Sequence, residues 1–205
     1  MRLFYAPDAS SLAPHIVLHE LQLPFTLDRV DRTTWRTRSG ADFSRLNPKR
    51  YVPAVELDDG EVLTEGPAIT QYLADCYAPG ILAPLSGTVA RARMNASLNF
   101  IGTELHKPFD LLFALALPAD TRATITASLG QRLEFIDSVL AQGGPYLTGQ
   151  QFSLADAYLF VVQRWAPMTG VDLASFPHLL RFVDRVASRA SVKAALAAEA
   201  DDAPA

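Results

Sequence analysis

Only one cysteine, Cys76, occurs in the chain. No intrachain disulfide framework is open to it, and a reducing compartment is the default. Long apolar runs are missing as well. No stretch is long enough to cross a membrane, and Pro7 and Asp8 interrupt the apolar start too early for a secretory signal. These two absences point to the cytoplasm. There is no excess of positive charge either: 18 Lys and Arg against 22 Asp and Glu leave a formal net charge of −4, which argues against general nucleic-acid binding. Internal repeats and low-complexity tracts are lacking. His15, His19 and His178 show no partner spacing suited to a metal, so no metal is expected.

What is present is ordinary globular usage, 49% hydrophobic and 20% charged over 205 residues. That is enough for one large domain or two small ones, each with its own core. Asp201, Asp202, Ala203, Pro204 and Ala205 read as a frayed tail. Seven basic residues (Arg29, Arg32, Arg36, Arg38, Arg45, Lys49, Arg50) crowd residues 28–50, against Asp28, Asp31 and Asp42. The cluster reads either as a solvated loop region or as an attraction for a small anion.

Residues 2–6 predict a short strand, Pro7–Ser11 a turn, and Leu12–Leu21 an apolar-periodic helix. A second strand is predicted over 25–30 and a short helix over 41–46, stopped by Asn47-Pro48. Strands at 54–57 and 61–64 flank Asp58-Asp59-Gly60, a hairpin signature, and Pro67 opens a helix to about Cys76. The order strand, helix, strand, helix, hairpin, helix fits a mixed sheet with helices packed on it. After Ala78–Gly87 only helical patterns follow, at about 88–113, 120–142, 153–169, 177–189 and 191–199. The chain is therefore expected to be α/β followed by all-α.

Two loops carry chemistry. Val52-Pro53 stands where a proline would remove a ladder donor, and Tyr51-Val52-Pro53-Ala54 resembles the cis-proline loop of thioredoxin-like folds; the alternative is a trans proline at a strand entry. Such a loop leaves the backbone of the preceding residue able to pair with an extended peptide. In Thr64-Glu65-Gly66-Pro67-Ala68-Ile69 a carboxylate and a residue without a side chain sit at a helix start. Amides there hold a carboxylate and Glu65 can hold an ammonium, which together suit an α-amino-acid end; otherwise the pair only caps the helix. Further on, Met94, Leu98, Ile101 and Leu105 form an apolar stripe, with Asn99, Thr103, His106 and Lys107 recurring on an adjacent face. That polar face is either simply solvated or functional. Ser153-Leu154-Ala155-Asp156 is a capping box in its Asp form, read as structural.

In order and spacing, these segments resemble bacterial beta-class glutathione transferases across nearly the whole chain. The resemblance rests on Ser11-Leu12-Ala13-Pro14-His15-Ile16, Asn47-Pro48-Lys49, Val52-Pro53-Ala54, Leu63–Ile69, Glu104–Lys107 and Phe152–Leu159. It implies a thioredoxin-like glutathione-binding domain (1–78) with a mixed four-stranded sheet, a linker (79–87) and an all-helical domain (88–205). Glutathione would lie along Val52, Pro53, Glu65 and Gly66 as co-substrate, with a small hydrophobic electrophile as the second substrate and a homodimer as the assembly. The resemblance also turns Asn99, Thr103, His106 and Lys107 toward glutathione, with His106 near its thiol and Asn99 acting across the dimer. Arg164 and Trp165 are candidates for the second-substrate pocket or for plain packing.

The family pattern is departed from at two positions. Beta-class enzymes carry a cysteine after the first strand, where this chain has Ser10. A hydroxyl cannot form a mixed disulfide with glutathione. It can hydrogen-bond a thiolate, with Ser11 as the alternative donor should the turn shift by one residue. Trp35 stands where relatives have a lysine for the glycine carboxylate of glutathione, with Arg36 or Arg38 as substitutes. The resulting expectation is a glutathione transferase with Ser10 and His106 as catalytic residues. The alternatives are a glutathione- or ligand-binding protein with little activity, or a protein-interacting relative with a vestigial site.

Overall fold

Three consecutive side chains, Leu3, Phe4 and Tyr5, have no accessible surface. A run buried on both sides belongs in the middle of a sheet covered on both faces. The computed structural model of the chain describes residues 1–114 and 116–201 and places strand β1 (Arg2–Tyr5) there. Strand β2 (Thr26–Arg29) pairs parallel to β1, and β3 (Ala54–Glu56) pairs antiparallel on the other side. Strand β4 (Val62–Thr64) closes the order β2-β1-β3-β4. The hairpin turns at Asp58–Gly60 as expected: the Leu57 N–H donates to the Glu61 carbonyl at 2.8 Å, and Gly60 takes a φ of 89° that a side chain would resist. Helices α1 (Leu12–Glu20) and α3 (Gly66–Tyr77) pack on each other. Asp42 caps the short helix α2 (Phe43–Leu46), accepting from the Ser44 N–H at 3.0 Å. Phe43 then seats against Phe4, Val30 and Ala54.

The second compact unit, Pro84–Ser188, is helical. Thr88 caps α4 (Val89–Phe100) by accepting from the Arg91 N–H at 3.2 Å. The helix runs on through π-helical turns at Ile101–His106 into α5 (Lys107–Leu112), burying Met94, Leu98, Ile101, Leu105, Phe109 and Leu112. Pro108 explains the widening, since it has no N–H for the Glu104 carbonyl four residues back and its ring crowds that carbonyl. Helix α6 (Ala119–Gly143) buries Leu129, Leu133, Ile136 and Leu140. Residues 153–169, read from the sequence as one helix, are two: α7 (Leu154–Gln163) and α8 (Trp165–Thr169). Pro167 is the cause again, because it cannot donate to the Gln163 carbonyl. Helix α9 (Pro177–Ala187) follows, with both the His178 and Leu179 N–H groups donating to Asp137 Oδ1 at 2.7 and 2.8 Å.

Helix α10 (Ala190–Asp201) is grouped with the helical half by sequence pattern, yet it packs on α1 as part of the first unit. The reason is polar pairing that periodicity does not reveal. His15 Nδ1 lies 2.9 Å from Glu199 Oε1, with both side chains buried. Arg189 donates to both Glu20 oxygens at 2.7 and 2.8 Å. Burial alone would raise the Glu20 carboxyl; hydrogen bonds from Arg189 and Ser191 outweigh it and hold the group below its usual range. Of the tail expected at the end of the chain, residues 202–205 lie outside the described residues.

The capping box at the start of α7 is formed. Asp156 accepts from the Ser153 N–H and the Leu147 N–H, each at 2.8 Å, and from Ser153 Oγ at 2.6 Å. Burial pushes its carboxyl up to about 6 despite those hydrogen bonds, which favour the ionised form. In the unfolded chain this group loses its proton near pH ~4. Between about pH 4 and pH 6 the folded state therefore binds the extra proton, and the contribution of Asp156 to stability falls as pH rises. We predict that the stability of the native protein relative to Asp156→Asn declines by about 2–3 kcal/mol from pH 4 to pH 7. Urea denaturation across that range measures it, and a flat difference would contradict the buried-carboxyl account.

Candidate functional site

Sheet topology decides which loops meet. Because β1 and β2 run parallel while β3 and β4 alternate, the carboxyl ends of β1, β2 and β4 and the amino end of β3 lie at one end of the sheet. Among the described residues, the non-glycine positions with positive φ are Asp8, Gln22, Trp35, Arg50 and Glu65. All but Gln22 fall in loops at that end. Such conformations cost about 1 kcal/mol or more each and concentrate where function, rather than folding, sets the backbone.

Within this cluster the two serines separate. Ser11 is fully buried; its hydroxyl donates to the Ala6 carbonyl at 3.1 Å and accepts from the Ala6 N–H at 3.2 Å. It closes the turn between β1 and α1. Ser10 is partly exposed, and its Oγ donates to the Val52 carbonyl at 3.3 Å. The Val52-Pro53 bond is cis, as expected. A side-chain carbon at position 66 would sit 3.6 Å from Pro53 Cγ, so Gly66 and Pro53 are neighbours. The loop after β1, the loop before β3 and the start of α3 thus converge on Ser10, Val52, Pro53 and Gly66.

Glu65, at φ 70° and ψ 111°, precedes α3, and no side chain caps the helix. Pro67 has no N–H, so the amides of Gly66 and Ala68 are the first-turn donors that a carboxylate would meet. The exposed Glu65 carboxylate pairs with Lys49 Nζ, which also donates to Thr64 Oγ1 at 2.9 Å. An ammonium thus already rests on Glu65, as an α-amino group would. Lys49 belongs to the basic run of residues 28–50, and its pairing with Glu65 is not legible in the sequence, because sixteen residues separate them and only the fold joins them. Trp35 is partly buried against the cluster of Phe4, Val30, Phe43 and Ala54, its ring stacked on Phe43 at 6.5 Å. Arg36 Nη1 donates to the Gly40 carbonyl at 3.2 Å.

The other candidates belong to the helical unit. His106 ends the π-helical turns, where its Nδ1 shares a 2.6 Å hydrogen bond with Tyr158 Oη and its Nε2 lies 3.4 Å from Asp110 Oδ1. Its ring stands edge-on to Trp165 at 4.7 Å. Trp165 is 4% exposed and also packs on Phe109 and Phe113. Arg164, partly exposed, sits at the junction of α7 and α8. Asn99, Thr103 and Lys107 are exposed, with Thr103 Oγ1 donating back to the Asn99 carbonyl at 3.1 Å. Neither Tyr158 nor Asp110 was read as functional from the sequence. Asp110 lies four residues beyond His106, a helical spacing that signals the contact; Tyr158 carries no such local signal. No cluster of three or more His, Cys, Asp or Glu suited to a metal ion occurs among the described residues.

Comparison with known proteins bears on this arrangement directly. Residues 10–76 match the glutathione S-transferase N-terminal domain and residues 120–190 the C-terminal domain. The chain is 44% identical to the glutathione S-transferase GstA of Escherichia coli O157:H7 over 97% of its length and 98% of that protein. The chain belongs to the glutathione S-transferase family. Among solved structures it resembles a sphingomonad glutathione S-transferase complexed with glutathione, with a TM-score of 0.93 and 42% identity over 98% of this chain and 99% of that one. It also resembles the beta-class enzyme of Sphingomonas chungbukensis, with a TM-score of 0.92 and 41% identity over 97% and 98%. The thioredoxin-like fold with a helical second half, and the bacterial relatives expected from the sequence, are both borne out. No helix of this transferase, among the described residues, is long and apolar enough to cross a membrane.

The division of labour between the serines is testable through stability. Replacing Ser11 by alanine strands the buried Ala6 N–H and leaves the Ala6 carbonyl with the Ala9 N–H alone, which is expected to cost about 2 kcal/mol, whereas Ser10→Ala should cost under about 0.5 kcal/mol. Chemical denaturation of the two variants measures this, and equal effects would refute the assignment.

Proposed function

We propose that this transferase binds glutathione at the sheet end bearing Ser10, Val52, Pro53, Glu65 and Gly66, and adds its thiolate to small hydrophobic electrophiles. The observation that carries the proposal is the convergence of three loops on one spot. There the backbone of Val52 can pair with the cysteinyl part of the peptide, and the α3 amides with Glu65 can take the α-amino-acid end. Residues 1–78 are the glutathione-binding domain in this reading, joined by 79–87 to the helical part. Lys49 yields the Glu65 carboxylate to the incoming ammonium. Ser10 has a partly exposed hydroxyl, so it can turn from the Val52 carbonyl to the sulfur. A hydrogen bond to a charged sulfur is worth about 1.5–3 kcal/mol, equivalent to lowering the thiol pKa by roughly one to two units.

His106 is the second catalytic candidate. Tyr158 and Asp110 engage its two nitrogens and set its orientation, while Asn99, Thr103 and Lys107 provide polar contacts to glutathione. Arg164 and Trp165 border the electrophile in this reading, with Trp165 acting mainly as packing for His106. A cytoplasmic homodimer completes the proposal. Exposed Tyr72 and Tyr77 on α3 are surface suited to an interface.

The test is turnover of a chloroaromatic electrophile with glutathione. The native protein is expected to be active, and Ser10→Ala to lose about tenfold or more in rate, in line with one charged hydrogen bond. In a Ser10→Cys and Cys76→Ala double variant, oxidised glutathione should add one reducible glutathione per subunit by mass spectrometry, because a thiol at this turn can exchange where a hydroxyl cannot. Absence of turnover would favour the binding-protein alternative. A variant that binds glutathione yet stays unmodified would remove Ser10 from the sulfur.

A further inference from the structure

The proposed glutathione site accounts for one end of the sheet. It leaves unused a cavity of about 180 Å³ in the helical unit, lined by Leu140, Gly144, Pro145, His178, Arg181 and Arg185. Its walls are the end of α6, the turn that follows, and one face of α9, where His178, Arg181 and Arg185 recur at i, i+3 and i+7. Each guanidinium group, though exposed, has one hydrogen bond to this surface. Arg185 Nη1 donates to the Pro145 carbonyl at 2.9 Å, and its guanidinium carbon lies 6.0 Å from the Tyr146 ring centroid. Arg181 Nη2 lies 2.9 Å from His178 Nδ1. Since a guanidinium only donates, Nδ1 must be the acceptor, which leaves the hydrogen of a neutral His178 ring on Nε2.

Two carboxylates stand near this face, and neither forms an ion pair with Arg181 or Arg185 within 4 Å among the described residues. Asp137, on α6, is committed to the first amides of α9. Asp184 is exposed on α9 itself, adjacent in sequence to Arg185. The turn is also fixed in shape. Gly144 has a φ of 118°, and a side-chain carbon there would come within 2.8 Å of Gln150 Nε2 and 3.1 Å of the Gly149 carbonyl. Two exposed guanidinium groups, each tied to the protein by one hydrogen bond, stand beside an apolar wall of Leu140 and Pro145 in a space several water molecules in size, and together they match an oxyanion with an organic substituent.

We infer that this cavity is a second ligand site of the transferase, selective for a phosphate monoester, with Arg181 and Arg185 gripping the phosphate oxygens and Leu140 and Pro145 covering the ester group. It lies wholly within Pro84–Ser188 and uses none of the residues assigned to glutathione.

Titration of the isotope-labelled full chain by amide NMR tests it. Phenyl phosphate and inorganic phosphate are the probes, and potassium chloride at matched ionic strength is the control. Saturable shifts are expected at Gly144, Tyr146 and the amides of His178–Arg185 with both probes, tighter for phenyl phosphate, and with no comparable response to chloride. Arg181→Gln and Arg185→Gln should each weaken binding about tenfold or more. Arg185→Lys, which keeps the charge but loses the fork, should also weaken it measurably. Shifts that track ionic strength alone, that map elsewhere, or that persist unchanged in an Arg181→Gln, Arg185→Gln double variant with native thermal unfolding would overturn the inference.

Discussion

Everything at the candidate glutathione site depends on β1 being pinned in the centre of the sheet. Leu3, Phe4 and Tyr5 are buried on both faces, and the β1 backbone is paired to β2 on one side and β3 on the other. The chain leaves β1 toward β2 and later returns beside β1 as β3, so the end of β1 and the entry to β3 become neighbours at a point where the connection switches sides. Ligands gather at such points in open sheets because no connection covers them. The Ser10 hydroxyl reaching the Val52 carbonyl is the local expression of this topology. Ser11, tied twice to Ala6, keeps the turn in register so that Ser10 alone can face outward.

The helical unit obeys a different constraint, imposed by prolines within helices. Pro108 and Pro167 each remove a donor from a continuing helix, and the chain responds by widening into π-helical turns in one case and by breaking into two helices in the other. Both distortions bear on one cluster: His106 ends the first and Trp165 begins the helix after the second, with their rings 4.7 Å apart. Backbone irregularity therefore places an imidazole against an aromatic wall, with Tyr158 and Asp110 on its two nitrogens.

Much of this was legible in the sequence because it rests on local pattern. The order of strands and helices, the hairpin at Asp58–Gly60, the Ser153 and Asp156 box and the buried stripe from Met94 to Leu105 all follow from periodicity or residue-specific backbone chemistry, whereas the Val52-Pro53 loop was legible through its resemblance to thioredoxin-like folds. What escaped depends on partners far apart in the chain. Lys49 meets Glu65, Tyr158 meets His106, and Arg189 and Glu199 bind the last helix to α1; none of these pairs has a spacing that advertises it. The helix irregularities were a different kind of omission, since Pro108 and Pro167 stand in the sequence and their missing donors could have been counted. Ser10 and Ser11 show the limit most clearly. Two adjacent hydroxyls look equivalent until the turn assigns one of them to Ala6.

In the proposed site the start of α3 and Glu65 receive the α-amino-acid end of glutathione. Calorimetric titration of glutathione into the native protein and into Glu65→Ala tests this most directly. A loss of about 2 kcal/mol in binding free energy is expected on removing a charge-assisted hydrogen bond of this kind, with the fold intact. Unchanged affinity in a folded Glu65→Ala variant would contradict it, leaving the Lys49 and Glu65 pair as a surface ion pair with no part in recognition.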